Sequence, residues 1–334
     1  MSASIICAIA FGFSGWRLAF QSAYVVQDDA RQHIFWMQRF LDGELFPQDL
    51  IADYFQSVAP AGYSLLYRLA ATLGIEPLLF SKLLPAILGV ALSLFAFGVC
   101  LTLFPLPFAG FLSVLLLNQN LWMVDDLSSG TPRAFFYPLF LGFLYFFLHR
   151  KPIYCCLMIF LQGLFYPQSV LLSLATLGLQ FLVKLKSDLK HRDYRLILPC
   201  MAVAIAILAV YAQSSSEFAP IISVERAKEL PEFSATGRAA FWSDNPFRFW
   251  LLGRSGLLPH DWPYLIMFSF GAVLPILRSN THRFPLARHL TPQSSILIQI
   301  LIASLGCFLL AHLFLFRLHL PVATFITVCE SSLL

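Results

Sequence analysis

Residues 77–104 read PLLFSKLLPAILGVALSLFAFGVCLTLF, and this stretch settles the class of the fold. It follows Glu76 and opens on Pro77, whose missing N–H costs nothing in the first turn of a helix. The run exceeds the roughly 20 apolar residues a helix needs to cross a hydrocarbon core. Working outward, similar runs occupy 106–123, 133–148, 152–166, 168–185, 196–212, 262–277 and 294–315. With the N-terminal segment MSASIICAIAFGFSGW they make about nine predicted spans. Composition agrees, at 58% hydrophobic and 12% charged residues, where soluble proteins carry about half and about a quarter. The expected fold is all-α: a single polytopic transmembrane helix bundle over 1–334, embedded in the lipid bilayer.

Several classes are excluded at once. The net charge of +4 is modest and its basic residues lie in short loops, with no basic tract interleaved with aromatics, so nucleic acid is not a partner. The seven cysteines mostly sit inside apolar runs without CxxC spacing, which reads as small buried hydrophobes and neither disulfides nor a metal cage. No P-loop, dinucleotide glycine fingerprint, HExxH or serine elbow is present, which argues against ATP-driven and hydride chemistry. The N-terminal segment lacks a basic n-region and is expected to remain as the first span, with Arg17 snorkelling or facing the bundle.

Lys and Arg in short flanking loops prefer the cytoplasm. The clusters at 150–151, 184–195 and 278–288 all fall on one side of the predicted bundle. The opposite, extracytoplasmic face then holds a loop over 25–74, the pair Asp125-Asp126, the hinge Tyr166-Pro167-Gln168 and a long loop over 213–261. Within the first loop, 45–55 and 57–74 are too short and mixed to span and suit interfacial helices.

The chemistry concentrates on that face. In QDDARQHIFWMQRFL (27–41), Asp28 and Asp29 open an amphipathic run whose apolar side is Ile34, Met37 and Leu41. Asp28 has Arg31 one turn away, and Asp29 shares a face with His33. A carboxylate at a membrane edge is a fitting general base, since burial raises its pKa and a nearby cation restrains the rise. The alternatives are an Asp29–Gln32 capping box and surface ion pairs. Asp125 and Asp126 form a second acidic pair, or a solvated turn. Arg133, after Thr131-Pro132 at a helix start, either grips a phosphate in bidentate fashion or anchors the span and pairs Asp126. Tyr166 and Gln168 line the same pocket, or serve as a belt aromatic and a cap.

The order of these parts, with APAGYSLLYRLAATLG leading into KLLPAILGVALSLFAF, resembles the GT-C superfamily of integral-membrane glycosyltransferases, which includes protein mannosyltransferases and the lipid A aminoarabinose transferase. The likeness covers roughly residues 1–185. It implies a multi-pass enzyme of the plasma (inner) membrane that takes a sugar from a polyprenyl-phosphate donor, with Asp28 or Asp29 in the place of the family's loop-one acid. Arg31, His33, Asp125, Asp126, Arg133, Tyr166 and Gln168 would line the substrate site. No cofactor is required by it, although an acidic pair leaves room for a divalent metal. Many family members have more spans and a soluble C-terminal domain, whereas this chain stops after FRLHLPVATFITVCESSLL, which reads as C-terminal truncation. The competing readings are a multi-pass transporter and an inactive relative that keeps only the fold.

Overall fold

A computed structural model of the chain describes residues 1–23, 25–123, 125–186, 191–213, 229–234, 236–237, 245, 247–252, 273, 277–279 and 281–314. Every regular element among the described residues is helical. The helices are α1 (Ser2–Ala19), α2 (Asp28–Ile34), α3 (Leu50–Val58), α4 (Ala61–Thr72), α5 (Pro77–Leu103), α6 (Pro107–Met123), α7 (Asp125–Ser128), α8 (Phe136–Leu148), α9 (Pro152–Phe165), α10 (Gln168–Lys186), α11 (His191–Gln213) and α12 (Ser295–Phe314). A 3₁₀ segment, Phe35–Phe40, extends α2, and another, Pro132–Phe135, leads into α8.

Five of these, α1, α5, α10, α11 and α12, contain stretches long and apolar enough to cross a membrane. The predicted segments at 106–123, 133–148 and 152–166 are also helical, but at 17, 13 and 14 residues α6, α8 and α9 fall short of that length. The predicted span at 262–277, most of the 213–261 loop and the tail from residue 315 lie outside the described residues. Large apolar side chains such as Ile6 and Phe13 of α1, Ile87 of α5 and Phe160 of α9 are exposed, as a surface solvated by lipid would be.

The chain falls into two compact units. Unit 1 comprises Met1–Leu177 and Phe181–Phe218; unit 2 comprises Gly178–Gln180 and Ala219–Leu334. In unit 2 the described part is chiefly α12, whose Phe308 ring meets the edge of Trp250, and the Arg278 guanidinium donates to Ser294 Oγ at 3.4 Å.

Unit 1 is built around α5, which packs against α1, α6 and α8, while α9 packs against α8 and α11. Lipid is as apolar as leucine, so close packing and internal hydrogen bonds must hold such helices together. The sequence supplies both. The Trp122 ring of α6 lies between α1 and α5, and a Cβ on Gly15 would meet it at 2.4 Å. Asn118, fully buried, donates to Ser93 Oγ of α5 at 2.8 Å, and Gln162 of α9 accepts from Ser173 of α10 at 2.7 Å.

The first loop follows its predicted outline with three corrections. The apolar side of 27–41 does bury Ile34 and Met37, but Leu41 is about half exposed, at 49%. The helix tightens to 3₁₀ at Phe35, and three residues per turn rotate Leu41 off the buried side. The Asp29 capping box does not form, because Gln27 is the N-cap and both acids lie in the first turn. The helix predicted within 45–55 begins at Leu50, where Asp49 accepts from the Ile51 and Ala52 amides. Residues 45–48 instead form a turn in which Phe46 and Gln48 adopt positive φ. Arg39 holds that turn, donating to the Leu45 carbonyl at 3.1 Å and to Asp53 at 2.7 Å.

Candidate functional site

Polar contacts between distant parts of unit 1 gather at one end of the bundle. There α1 ends, α5 begins, α6 runs into α7, α8 begins and α9 gives way to α10. Lys82, near the start of α5, donates to the Ala19 carbonyl at the end of α1 at 2.9 Å. Gln38 donates to Glu76 just before α5 at 2.9 Å. Tyr67 of α4 donates to the Gly130 carbonyl at 3.0 Å.

Gly130 is required at that point. Its φ is +63°, and a Cβ would stand 2.9 Å from the Ser81 carbonyl oxygen. Pro85 four residues on has no N–H to give that oxygen, and the Gly130 backbone lies against it. The second acidic loop is thereby pressed onto the second turn of α5.

Asp126 is the centre of this loop. One carboxylate oxygen is 2.8 Å from Arg133 Nη1, and the other accepts from the Tyr137 hydroxyl at 2.7 Å. The Asp126 side chain is 12% exposed and that of Arg133 30%, so the acid is enclosed and the cation reaches the surface. Asp126 is therefore no solvated turn, and Arg133 pairs with it through Nη1 while its guanidinium stays partly exposed, so the pairing and a phosphate grip are compatible. Tyr166, in the hinge, sets its ring edge against Phe136. Burial pushes its phenol pKa up; the Arg133 cation opposes this and the Asp126 anion adds to it. The three groups thus sense one another. Gln168 starts α10 half-buried, two residues from Tyr166. The side chain of Asp125 lies outside the described residues.

The first acidic pair is more open. Asp28 and Arg31 form an i,i+3 ion pair at 2.8 Å, with both side chains more than 60% exposed, an arrangement worth a few tenths of a kcal/mol. Asp29 is half-buried. His33 stands on the same side as Asp29, its ring edge-on to Phe55. Burial lowers the His33 pKa, and the Asp29 charge partly restores it, so the imidazole is neutral near pH 7. Among the described residues no three His, Cys, Asp or Glu side chains converge as a metal site.

The two acidic loops, a hundred residues apart in sequence, meet directly. Gln27 Nε2, at the N-cap of α2, donates to Ser128 Oγ at the end of α7 at 3.2 Å. Neither residue was singled out from the sequence, nor were Tyr137, Tyr67 and Lys82. Tyr137 follows Arg133 by four residues, so it lies one helical turn on; that spacing was the available signal.

The opposite end of unit 1 carries the turn at 149–151 and the start of α11, joined by Arg150–Asp193 at 3.2 Å. The basic residues there are those that placed the cytoplasm in the sequence reading. No family model, curated protein or solved structure matches this chain.

Proposed function

We propose that the chain is a GT-C-type membrane glycosyltransferase with about nine spans, working on the extracytoplasmic face of the plasma (inner) membrane. It would move a sugar from a polyprenyl-phosphate donor to an acceptor hydroxyl. The observation that carries this reading is the Gln27–Ser128 contact. It sets the open acids of α2 next to the loop in which Asp126 holds Arg133, which supports a reading in which α2 supplies the base and Arg133 binds the phosphate.

In the reaction the acceptor hydroxyl gives its proton to an α2 carboxylate as its oxygen bonds to the anomeric carbon. The carbon–oxygen bond to phosphate breaks and its electron pair leaves with the lipid phosphate. Asp29 is the better base on this geometry, being half-buried beside His33, while Asp28 is spent on Arg31. Arg133 lies with the departing phosphate, where charge grows in the transition state and fixed donors lower the barrier most. Asp126, itself held by Tyr137, keeps the guanidinium in place, and the Tyr166 phenol senses its charge. Transporters place ionisable groups near the bilayer midplane, whereas the central turns of α1, α5, α10, α11 and α12 contain no Asp, Glu, Lys or Arg.

The test is transfer from a polyprenyl-phosphate sugar in proteoliposomes. Asp29→Asn should remove turnover while leaving donor binding intact, and Arg133→Lys should weaken donor binding by losing the two-point grip. Near wild-type transfer in both Asp28→Asn and Asp29→Asn would end the proposal. Reporter fusions near Gly43 should read outside and those near Lys190 inside; the reverse would put the acids on the wrong face.

A further inference from the structure

The geometry points to an unassigned covalent site between two helices of unit 1: Cys156 of α9 and Cys200 of α11, which a disulfide-class oxidant converts into an interhelical disulfide. Their sulfurs are 3.6 Å apart although the residues are 44 apart in sequence.

This closeness follows from how the two helices run. Tyr211, near the end of α11, donates to the Gly163 carbonyl near the end of α9 at 3.0 Å, and Cys200, nearer the start of α11, approaches the Pro152 carbonyl at the start of α9 at 3.9 Å. The earlier residue on α11 meets the earlier on α9 and the later meets the later, so α9 and α11 are parallel, with α10 as the return between them. A second contact fixes the register: a Cβ on Gly163 would lie 2.7 Å from Ile207. Cys156 with Cys200 and Gly163 with Ile207 have the same offset, and they recur seven residues apart on both helices. Positions 200, 204, 207 and 211 on α11 and 156, 159 and 163 on α9 each fall at three- and four-residue spacing and so form one stripe along each helix. Ile159 and Ala204, one step along it, are fully buried. The small residues Gly163 and Ala204 allow these stripes to approach closely. Two thiols are therefore held across one layer, where closing the bond requires the sulfurs to move to about 2.05 Å.

The neighbouring Cys155 thiol also lies against Cys200, but on the inner side of α9. Cys155 is fully buried and approaches the Phe143 carbonyl of α8 at 4.0 Å. Cys156 is only half-buried, whereas Cys200 is fully buried. Reagent therefore meets Cys156 first. The Cys156 sulfur attacks one sulfur of the reagent, forming a mixed disulfide and releasing one reagent thiol. Cys200 then attacks the Cys156 sulfur and releases the second. The protein loses two hydrogens and two electrons, the reagent disulfide gains both, and two reagent thiols leave. The product fastens α9 to α11 in the register they already have, and α9 is the helix that carries the Tyr166 hinge.

Dipyridyl disulfide is a suitable probe, since it is lipid-soluble and leaves as a neutral thione. Treated full-length protein in detergent, digested without reduction, should yield a Cys156–Cys200 linked peptide in wild type and in Cys155→Ser. Cys200→Ser should stop at the pyridyl mixed disulfide on Cys156, and Cys156→Ser should yield no link to Cys200. A wild-type protein that retains the mixed disulfide on Cys156, or one linked through Cys155 instead, would overturn the assignment. Each variant removes one sulfur for oxygen, and the mixed disulfide in Cys200→Ser itself shows that Cys156 is reached in folded protein.

Discussion

The two ends of unit 1 use charge in different ways. At the acidic end, Asp126 engages both Arg133 and Tyr137, and Lys82, Tyr67, Gln38 and Gln27 each tie one element to another distant in sequence. At the basic end, the described ion pair is Arg150–Asp193, with Arg150 44% exposed, and Lys151 and Arg195 are exposed. Charge at the basic end is of the kind that the positive-inside rule reads, which needs sign and no geometry. At the acidic end it fixes positions, which is what a site requires.

The largest test of this contrast is Asp126→Ala. It removes one acceptor from the Arg133 guanidinium and one from the buried Tyr137 phenol, and an unfolding free energy lower by about 3 kcal/mol is expected, since breaking an enclosed pair costs several kcal/mol and the partly open Arg133 reduces that. The matching change at the other end, Asp193→Ala, should cost about 1 kcal/mol because its partner is well solvated. Denaturant titration in mixed micelles compares the two; equal losses would erase the distinction between the ends.

Gly130→Ala comes next. A left-handed φ costs an L-residue about 1 to 2 kcal/mol, and the added methyl must also displace the Ser81 carbonyl. A loss of about 2 kcal/mol is expected, with a shift of the Asp126 loop. A variant as stable as wild type would mean that the loop is not pressed onto α5.

Gln27→Ala removes an exposed hydrogen bond worth about 0.5 to 1 kcal/mol. Its effect should be local: faster amide exchange in α2 with α5 and α8 unchanged. Unaltered exchange in α2 would show that the two acidic loops are not coupled through this contact.

The smallest effect is a pH dependence. His33 has a folded pKa below its ordinary value of 6.5 because it is buried, so the folded state resists protonation. Above that value the residue contributes nothing either way, and stability falls as pH drops below it toward the lowered folded value. His33→Phe should flatten unfolding free energy across that window, and an unchanged slope would place the dependence elsewhere.

The sequence by itself determined the class of the fold and most helix positions. Apolar run length against bilayer thickness is a one-dimensional property, and Pro77, Pro60 and the Tyr166-Pro167 hinge mark boundaries through local sterics. It also put residues 28, 126, 133 and 166 at one end of the bundle, because their placement follows from counting helices. Only the tertiary structure decided which charges pair. It enclosed Asp126 against Arg133 and Tyr137 while leaving Asp28 open, joined Gln27 to Ser128, and set Cys156 opposite Cys200. Each depends on the register between helices far apart in sequence, and register is fixed by small residues such as Gly130 and Gly163, whose role is visible only once the atoms they admit are in place.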